Sequence, residues 1–383
     1  ETVTSLLDQL KGKTVAAQEE NVDRNKIQAD VDALKEQIGV VVSAAQFNGL
    51  NLIDNTDSVS ILASLNRADD GTVTDSSISF RGHDLSQNLG SMGADASTGI
   101  SITPATIANT AKTASIAVSG TANLADGETV TLTIDGDATD PVSVTYTNTS
   151  GGVEDEAVYL DGLAALAENY GVEGLTFTGD GANDKIDVSS VNKFESFSLT
   201  LTSSDAAVTA VAPAAQALAR RAETVDLTAG TPAEGKGYEI QFDGQAAYYV
   251  AKAGDTMNDV ATGLKAAIDN QLNADVTVQV NLADDPTTTN PTLYLDNNGS
   301  SAITVTERAT TGGSSTGGLF ALQGIDVTTS ELANNALSNV EPMIQAAINA
   351  AAAFGSVQGR IQTQSEFVGK IMDGLTSGVG ALV

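Results

Sequence analysis

Side chains able to support catalysis or to bind a transition metal are few in this sequence. Histidine occurs once, as His83 in the stretch SFRGHDLS, and cysteine is absent. A single histidine excludes the paired-histidine helix of zinc proteases, and without cysteine there is no thiolate ligand and no disulfide. His83 lies among polar residues, and we interpret it as an imidazole in a surface loop. We therefore expect no catalytic residue, no cofactor and no enzymatic activity.

Acidic residues are abundant, and some turns set oxygen ligands at alternate positions, as calcium loops do. Examples are DGDATD at 135–140 and GDGANDKID at 179–187. Neither stretch completes the EF-hand pattern of calcium proteins. Aspartate and asparagine are also common in ordinary turns, so these stretches identify no metal ligand, and calcium stays open as a candidate. Paired carboxylates for glycoside chemistry stay open too, because any chosen pair is uninformative here.

The net charge of the chain excludes some classes of binding partner. Lysine and arginine number 18 against 49 aspartates and glutamates, which gives a formal net charge of −31. Such a field repels phosphate backbones and anionic lipid, so we expect neither nucleic acid nor a membrane as a partner. Apolar residues make up 41% and charged residues 17% of the 383 residues, which argues against a disordered acidic chain.

Both ends of the chain have helical periodicity. Residues 1 to 45 are predicted to be helical, and in the second half of this region the apolar stripe comprises Ile27, Val31, Leu34, Ile38, Val41 and Ala45. The C-terminal end carries a longer ladder at alternating spacings of three and four, namely Leu337, Val340, Ile344, Ala347, Ala351, Phe354, Gln358, Ile361, Ser365, Val368, Met372, Leu375, Val379 and Leu382. Such a ladder is typical of a coiled-coil seam, which needs a second helix. We expect the two ends to pack as one antiparallel rod, and aspartate at Ile361 or Val368 to unfold it.

A turn follows the first helical region in the sequence AAQFNGLNLID at 44–54. Asn48-Gly49 suits a chain reversal because both residue types tolerate positive φ. Phe47, Leu52 and Ile53 must then find an apolar partner elsewhere, and the C-terminal ladder supplies one. We predict that this turn closes the end of the rod.

The interior of the chain is β-rich and duplicated. Asp135-Gly136 recurs as Asp243-Gly244, 108 residues later, each between two alternating apolar and polar runs. A helical pattern and three short strands follow each copy. The predicted fold class is therefore α+β, an elongated helical coiled-coil rod carrying duplicated β-rich outer modules. Its expected parts are a rod domain from 1–54 plus 325–383, a β-hairpin joining region at 55–111, a first module at 112–221 and a second module with a return linker at 222–324.

The two ends resemble the rod segments of bacterial flagellin, the subunit of the flagellar filament. The N-terminal resemblance is ADVDALKEQIGVVVSAAQFNGLNLI, and the C-terminal one is GIDVTTSELANNALSNVEPMIQAAINAAAAFGSVQGRIQ. The corresponding assembly motif comprises Phe47, Asn48, Gly49, Leu52, Ile53, Phe354, Gln358 and Arg360. Gly359 departs from the family's asparagine. The duplicated modules resemble an insert found in flagellins and hook-associated proteins.

This resemblance implies an extracellular structural subunit of the bacterial flagellum, at the cell surface, that serves motility. Its implied partners are other flagellin subunits, an export chaperone and the filament cap. The family's extreme N- and C-terminal helices have no counterpart here, so the chain is expected to be a monomer that does not polymerise. The stretch LDQLKGKTVAA at 7–17 departs from the pattern read by an animal immune receptor, so that recognition is not expected.

Two alternatives stay open at this point. The chain is a candidate surface binding module for polysaccharide or adhesion, with Tyr146, Tyr159, Tyr248 and Tyr249 as contact residues. It is also a candidate hook-associated protein, because that class shares the insert.

Overall fold

The structure is a computed structural model that describes residues 1–47, 49–67, 70, 72–96, 100–103, 106–118, 123–137, 140–206, 208, 215–271 and 276–380. Its helices are α1 (Thr2–Ala16), α2 (Arg24–Ala44), α3 (Glu156–Tyr170), α4 (Met257–Gln271) and α5 (Ser330–Gly380), with short 3-10 helices at Gly181–Asn183 and Phe320–Gly324. The strands before the duplicated region are β1 (Gln46–Phe47), β2 (Leu50–Asn51), β3 (Ser58–Arg67), β4 (Val73–Arg81), β5 (Ala94–Ala96), β6 (Ile100–Thr103) and β7 (Thr106–Ile107).

The strands of the first repeat are β8 (Lys112–Ala117), β9 (Thr129–Gly136), β10 (Val142–Thr147), β11 (Leu175–Asp180), β12 (Lys185–Ser190), β13 (Phe197–Ser203) and β14 (Ala215–Leu218). Those of the second repeat are β15 (Glu223–Leu227), β16 (Gly237–Phe242), β17 (Gln245–Val250), β18 (Val276–Asn281), β19 (Thr292–Asn297) and β20 (Ile303–Thr311).

The predicted N-terminal helix is divided into α1 and α2. The prediction of one helical region to residue 45 is therefore wrong between Ala16, where α1 ends, and Arg24, where α2 begins. Asp23 starts α2 by accepting a hydrogen bond from the Lys26 N–H, and Arg24 Nε donates to the Ala17 carbonyl oxygen at 2.8 Å across the break. The reversal lets α1 pack against α2 as well as against α5. Leu7 and Leu10 of α1 are fully buried there. The two ends of the chain are therefore in contact.

The buried residues of the C-terminal ladder lie between Val340 and Ala347. Val340, Ile344 and Ala347 are buried, whereas Leu375 and Val379 are 65% and 61% exposed. The prediction of an unbroken seam within this chain is wrong because the partner is too short. α1 has 15 residues and α5 has 51, which correspond to roughly 22 Å and 76 Å of helix.

The hairpin of β3 and β4 lies against the middle of α5. Its strands pair antiparallel with a bulge between Leu62 and Ser64. Gln364 Nε2 of α5 donates to the Ala63 carbonyl oxygen at 3.1 Å. Ile361 and Val368 are only half-buried in this region, so aspartate at either position should perturb the rod less than the sequence predicted.

Both repeats have the same strand pairing. The first has sheets in the order β10-β9-β13-β14 and β11-β12-β8, and the second has β17-β16-β20 and β18-β19-β15. The second repeat also incorporates β6 beside β15, and β5 and β7 beside β20. These three strands lie within residues 94–107, which were predicted to belong to the joining region. Strands β5, β6 and β7 form backbone hydrogen bonds with β15 and β20. Without them, N–H and C=O groups at the edges of the second repeat's sheets would lack a strand partner.

A tyrosine contact recurs in both repeats. The Tyr146 hydroxyl donates to Glu154 Oε2 at 2.8 Å, and the Tyr249 hydroxyl donates to Asp255 Oδ2 at 2.8 Å. Each ring lies against a helix glycine, Gly162 in α3 and Gly263 in α4. The glycines are needed because a Cβ at either position would overlap the ring.

The buried residues that the structure describes form two separate apolar cores. One joins α1, α2 and the first half of α5 to the second repeat, and the other lies within the first repeat. The second repeat therefore shares one core with α1, α2 and α5, which we call the helical body, whereas the first repeat has a core of its own.

Candidate assembly surface

The predicted turn after α2 is a tight hairpin. Phe47 of β1 pairs with Leu50 of β2, and Gly49 has a φ of +79°, which a glycine adopts without strain. Asn48 lies outside the described residues. Leu50 is 40% exposed.

Asn51 closes the end of α2, a role that the sequence analysis missed. Its Nδ2 donates to the Val42 carbonyl oxygen at 2.7 Å, and its Oδ1 accepts from the Ile53 N–H at 3.0 Å. The side chain thereby gives this carbonyl oxygen, which also accepts from the Ala45 N–H at 3.4 Å, a second and shorter hydrogen bond in the last turn of the helix. An asparagine shortly after a helix, between apolar residues, was the available signal.

The residues after the turn join a second segment of the chain. The His83 N–H donates to the Leu52 carbonyl oxygen at 2.9 Å, and the Leu85 N–H donates to that of Ile53 at 2.8 Å. Leu85 is buried, and Ile53 is half-buried against the core shared with the second repeat. Leu52 and Ile53 are thus held at the base of the β3–β4 hairpin.

Phe354 meets the same segment from α5. Its ring contacts the His83 ring edge to face, with centroids 5.5 Å apart and an interplanar angle of 78°. His83 lies in a loop, and its ring is half-buried at this contact. Through His83, Phe354 of α5 is connected to Leu52.

Gln358 and Arg360 are not brought to the turn. Both are exposed on α5, one turn or more beyond Phe354. Within the part of the chain that the structure describes, Arg360 forms no ion pair. The predicted motif therefore divides into residues that join the two chain ends and residues that face outward.

An apolar stripe continues outward along α5. Phe367, Ile371, Leu375 and Val379 follow each other at intervals of four residues and are 54%, 45%, 65% and 61% exposed. This spacing puts them on one side of the helix. A contiguous exposed apolar patch of this kind marks a contact surface in soluble proteins. We refer to these four residues as the α5 stripe.

A cleft lies beside His83, and the carboxylates that line it accept hydrogen bonds from the protein itself. It has a volume of about 520 Å³ and is lined by residues including Asp255 and Asp259. Burial raises the pKa of Asp255, and its carboxylate accepts from the Tyr249 hydroxyl and the Lys252 N–H. Asp259 accepts from the Thr256 N–H at the start of α4. These carboxylates hold the loop before α4 and are not presented to a ligand.

Groups of three or more metal-binding side chains are not found among the described residues. No helix within the described ranges is both long and apolar enough to cross a bilayer.

Burial lowers the pKa of His83, and this shift can be measured directly because the chain has one histidine. We expect the imidazole proton resonances in an NMR titration to report a pKa below the ordinary value of about 6.5. The unfolded chain then binds a proton more readily, so His83 makes the fold less stable as pH falls through 6.5 and below. Phe354→Ala should bring the pKa back toward 6.5, and Arg360→Ala should leave it unchanged. A parental pKa at or above 6.5 would contradict the burial of this ring.

Known proteins resemble the chain in sequence over limited regions. No protein-family model matches it. Flagellin C of Rhizobium meliloti is 39% identical over 85 residues, which cover 21% of this chain and 26% of that protein. Flagellin FljM of Caulobacter vibrioides is 33% identical over 129 residues, which cover 34% of this chain and 42% of that protein.

The chain therefore resembles flagellins in sequence. The resemblance predicted from the sequence is thus confirmed. The chain spans less than half the length of either relative, at 26% and 42%.

Solved structures resemble the chain only loosely. The flagellar hook associated protein-3 of Legionella pneumophila aligns with a TM-score of 0.30 and 12% identity, covering 100% of this chain and 88% of that one. The flagellar cap protein FliD of Escherichia coli aligns with a TM-score of 0.24 and 12% identity, covering 94% and 72%. Similarity at these scores supports no inference about this chain.

Proposed function

We propose that this chain is a structural subunit of the extracellular bacterial flagellar filament. The observation that carries the proposal is the α5 stripe, an exposed apolar helix face on a chain related to flagellins. A filament subunit buries such a face against its neighbours, and the apolar area removed from water stabilises the assembly. The sequence relationship favours the filament over a hook-associated position, because the curated relatives are named flagellins.

Each part of the chain has a role in this proposal. The helical rod of residues 1–54 and 325–383, with antiparallel coiled-coil packing along α1 and α5, forms the part that assembles. The hairpin region stiffens α5, and the two repeats project outward. Neighbouring subunits are the principal partners, and an export chaperone and the filament cap are proposed from the family resemblance.

Polysaccharide binding receives less support from the structure than from the sequence. Tyr159 and Tyr249 are buried, at 0% and 3% exposure, so neither presents a face to a sugar. Tyr146 and Tyr248 are half-buried. The four tyrosines therefore do not form the exposed aromatic platform that a glycan would stack on.

Aspartate in the α5 stripe should prevent assembly without unfolding the subunit. We expect Leu375→Asp to abolish filaments in electron micrographs of cells that produce the protein in its natural form. The side chain is 65% exposed in the subunit, so the melting temperature should change little. Exposed Ser377, two residues further along the helix, provides the control Ser377→Asp, which should still form filaments. Normal filaments from Leu375→Asp would rule out the stripe as a subunit contact.

Immunogold labelling distinguishes the filament from the hook-associated alternative. A filament subunit is expected along the whole length of the flagellum. Label confined to the hook junction would show the alternative to be right.

A further inference from the structure

The first repeat is attached to the rest of the chain by polar contacts. Its apolar core is separate from the core shared by the helices and the second repeat. Among the described helices and strands, none of the first repeat packs extensively against one of the second. The chain passes between them twice, at residues 108–111 and 219–222.

We propose that the orientation of the first repeat is set by an ionic clamp between Arg221 and Asp296, so that opening the clamp frees the repeat to rotate while both repeats stay folded. The proposal concerns the relative motion of the repeats and does not depend on filament assembly.

Arg221 binds the second repeat through its side chain. Its Nε donates to Asp296 Oδ1 at 2.7 Å and its Nη2 donates to Oδ2 at 2.5 Å, a bidentate pair. Nη2 also donates to Asn298 Oδ1 at 3.3 Å. The Arg221 side chain is 11% exposed and that of Asp296 is 0% exposed, so solvent screens this pair little.

The backbone of the same linker binds the first repeat. The Arg221 N–H donates to the Asn192 carbonyl oxygen at 3.0 Å, and the Ala222 N–H donates to that of Lys193 at 2.8 Å. One residue thus contacts the first repeat through its main chain and the second through its guanidinium. A rigid, planar guanidinium with a bidentate partner fixes direction better than an ammonium group does.

The other linker is bound to the same guanidinium. Asn109 Oδ1 accepts from Arg221 Nη1 at 3.0 Å, and Asn109 Nδ2 donates to the Gly299 carbonyl oxygen at 2.8 Å. The linker at residues 108–111 and the linker at residues 219–222 are therefore bound to the same guanidinium. A hinge made of two linkers is restrained when both are fixed in this way.

Weaker charged contacts surround the clamp. Lys112 of β8 pairs with Glu223 of β15 at 2.8 Å, and Lys193 pairs with Glu331 of α5 at 3.2 Å. The Arg220 guanidinium lies 4.2 Å from the centre of the Tyr294 ring. Four of the 18 cationic residues, namely Lys112, Lys193, Arg220 and Arg221, are thus gathered at one junction of an acidic chain. Arg220 also pairs with Asp137 of the first repeat at 2.9 Å. All three of these ion pairs are more exposed than the Arg221–Asp296 pair, so salt weakens them more and the buried pair is the principal ionic restraint.

Distance measurements between spin labels test the proposal. The chain has no cysteine, so Ala165→Cys on α3 and Ser356→Cys on α5 place one nitroxide on the first repeat and one on the helical body. Both sites are exposed. We expect the labelled parent to show one narrow distance distribution by pulsed electron paramagnetic resonance. The double variant Arg221→Gln/Asp296→Asn, which leaves no buried unpaired charge, should at least double the width of that distribution.

A matched variant removes an ion pair that does not cross the junction. Lys265 pairs with Asp269 at 2.6 Å within α4, where the two side chains are 11% and 8% exposed, so Lys265→Gln/Asp269→Asn should retain the narrow distribution. Hydrogen exchange should show both repeats protected in the clamp variant as in the parent. An unchanged distance distribution in the clamp variant would overturn the proposal. Loss of hydrogen-exchange protection in either repeat would also overturn it, because the ion pair would then be required for folding and not for orientation. A broad distance distribution in the labelled parent would overturn it as well.

Discussion

Replacing Leu10 by alanine should lower the free energy of unfolding by about 3 kcal/mol. Leu10 is fully buried in α1, within the core that joins the helices to the second repeat. Removing buried methyl groups costs the lost transfer free energy and adds a cavity, about 2–5 kcal/mol for leucine to alanine. Guanidinium unfolding followed by far-ultraviolet circular dichroism measures the loss. The matched control is Val15→Ala on the same helix, where the side chain is 45% exposed and the loss should stay below about 1 kcal/mol.

The same variant tests whether the second repeat folds together with the helices. Because the core is continuous, Leu10→Ala should increase amide hydrogen exchange in α4 and in the strands β16 and β17, as well as in α1 and α5. Exchange in the first repeat should not change, because its core is separate. Unchanged protection in β16 and β17, with loss in α1 alone, would show that the helices and the second repeat are independent units.

Replacing Gly263 by alanine should destabilise the second repeat by about 1–3 kcal/mol. A Cβ at this position of α4 would overlap Tyr249 Cδ2, and the ring is only 3% exposed, so it has little room to move. Displacing the ring also breaks the hydrogen bond from its hydroxyl to Asp255. A thermal melt followed by circular dichroism, together with hydrogen exchange in α4, measures the effect.

Gly355 of α5 provides the matched control, since it too is a glycine inside a helix. A Cβ at Gly355 would meet no atom within 4 Å. Gly355→Ala should therefore stabilise the chain by up to about 1 kcal/mol, the helix propensity difference between the two residues. If Gly263→Ala were as stable as Gly355→Ala, the close packing of Tyr249 on α4 would be wrong.

The helical ends, the duplication and the turn after α2 were predictable from the sequence. Each is encoded by short-range features, namely an apolar period, a recurring Asp-Gly pair and an Asn-Gly turn. The resemblance to flagellins was carried by the same local motifs. The pairing of strands within each repeat also follows from alternation over consecutive runs, such as β9 with β10.

Only the tertiary structure decided which partner covers each of these elements. β5, β6 and β7 complete the second repeat although their sequence adjoins the first hairpin. The guanidinium of Arg221 meets a carboxylate 75 residues away. The period of the apolar residues predicts which face of a helix is buried. The length and position of the partner element decide how much of that face is buried. For this reason the ladder of α5 was predicted as one seam, and the structure buries it only as far as α1 and the second repeat reach.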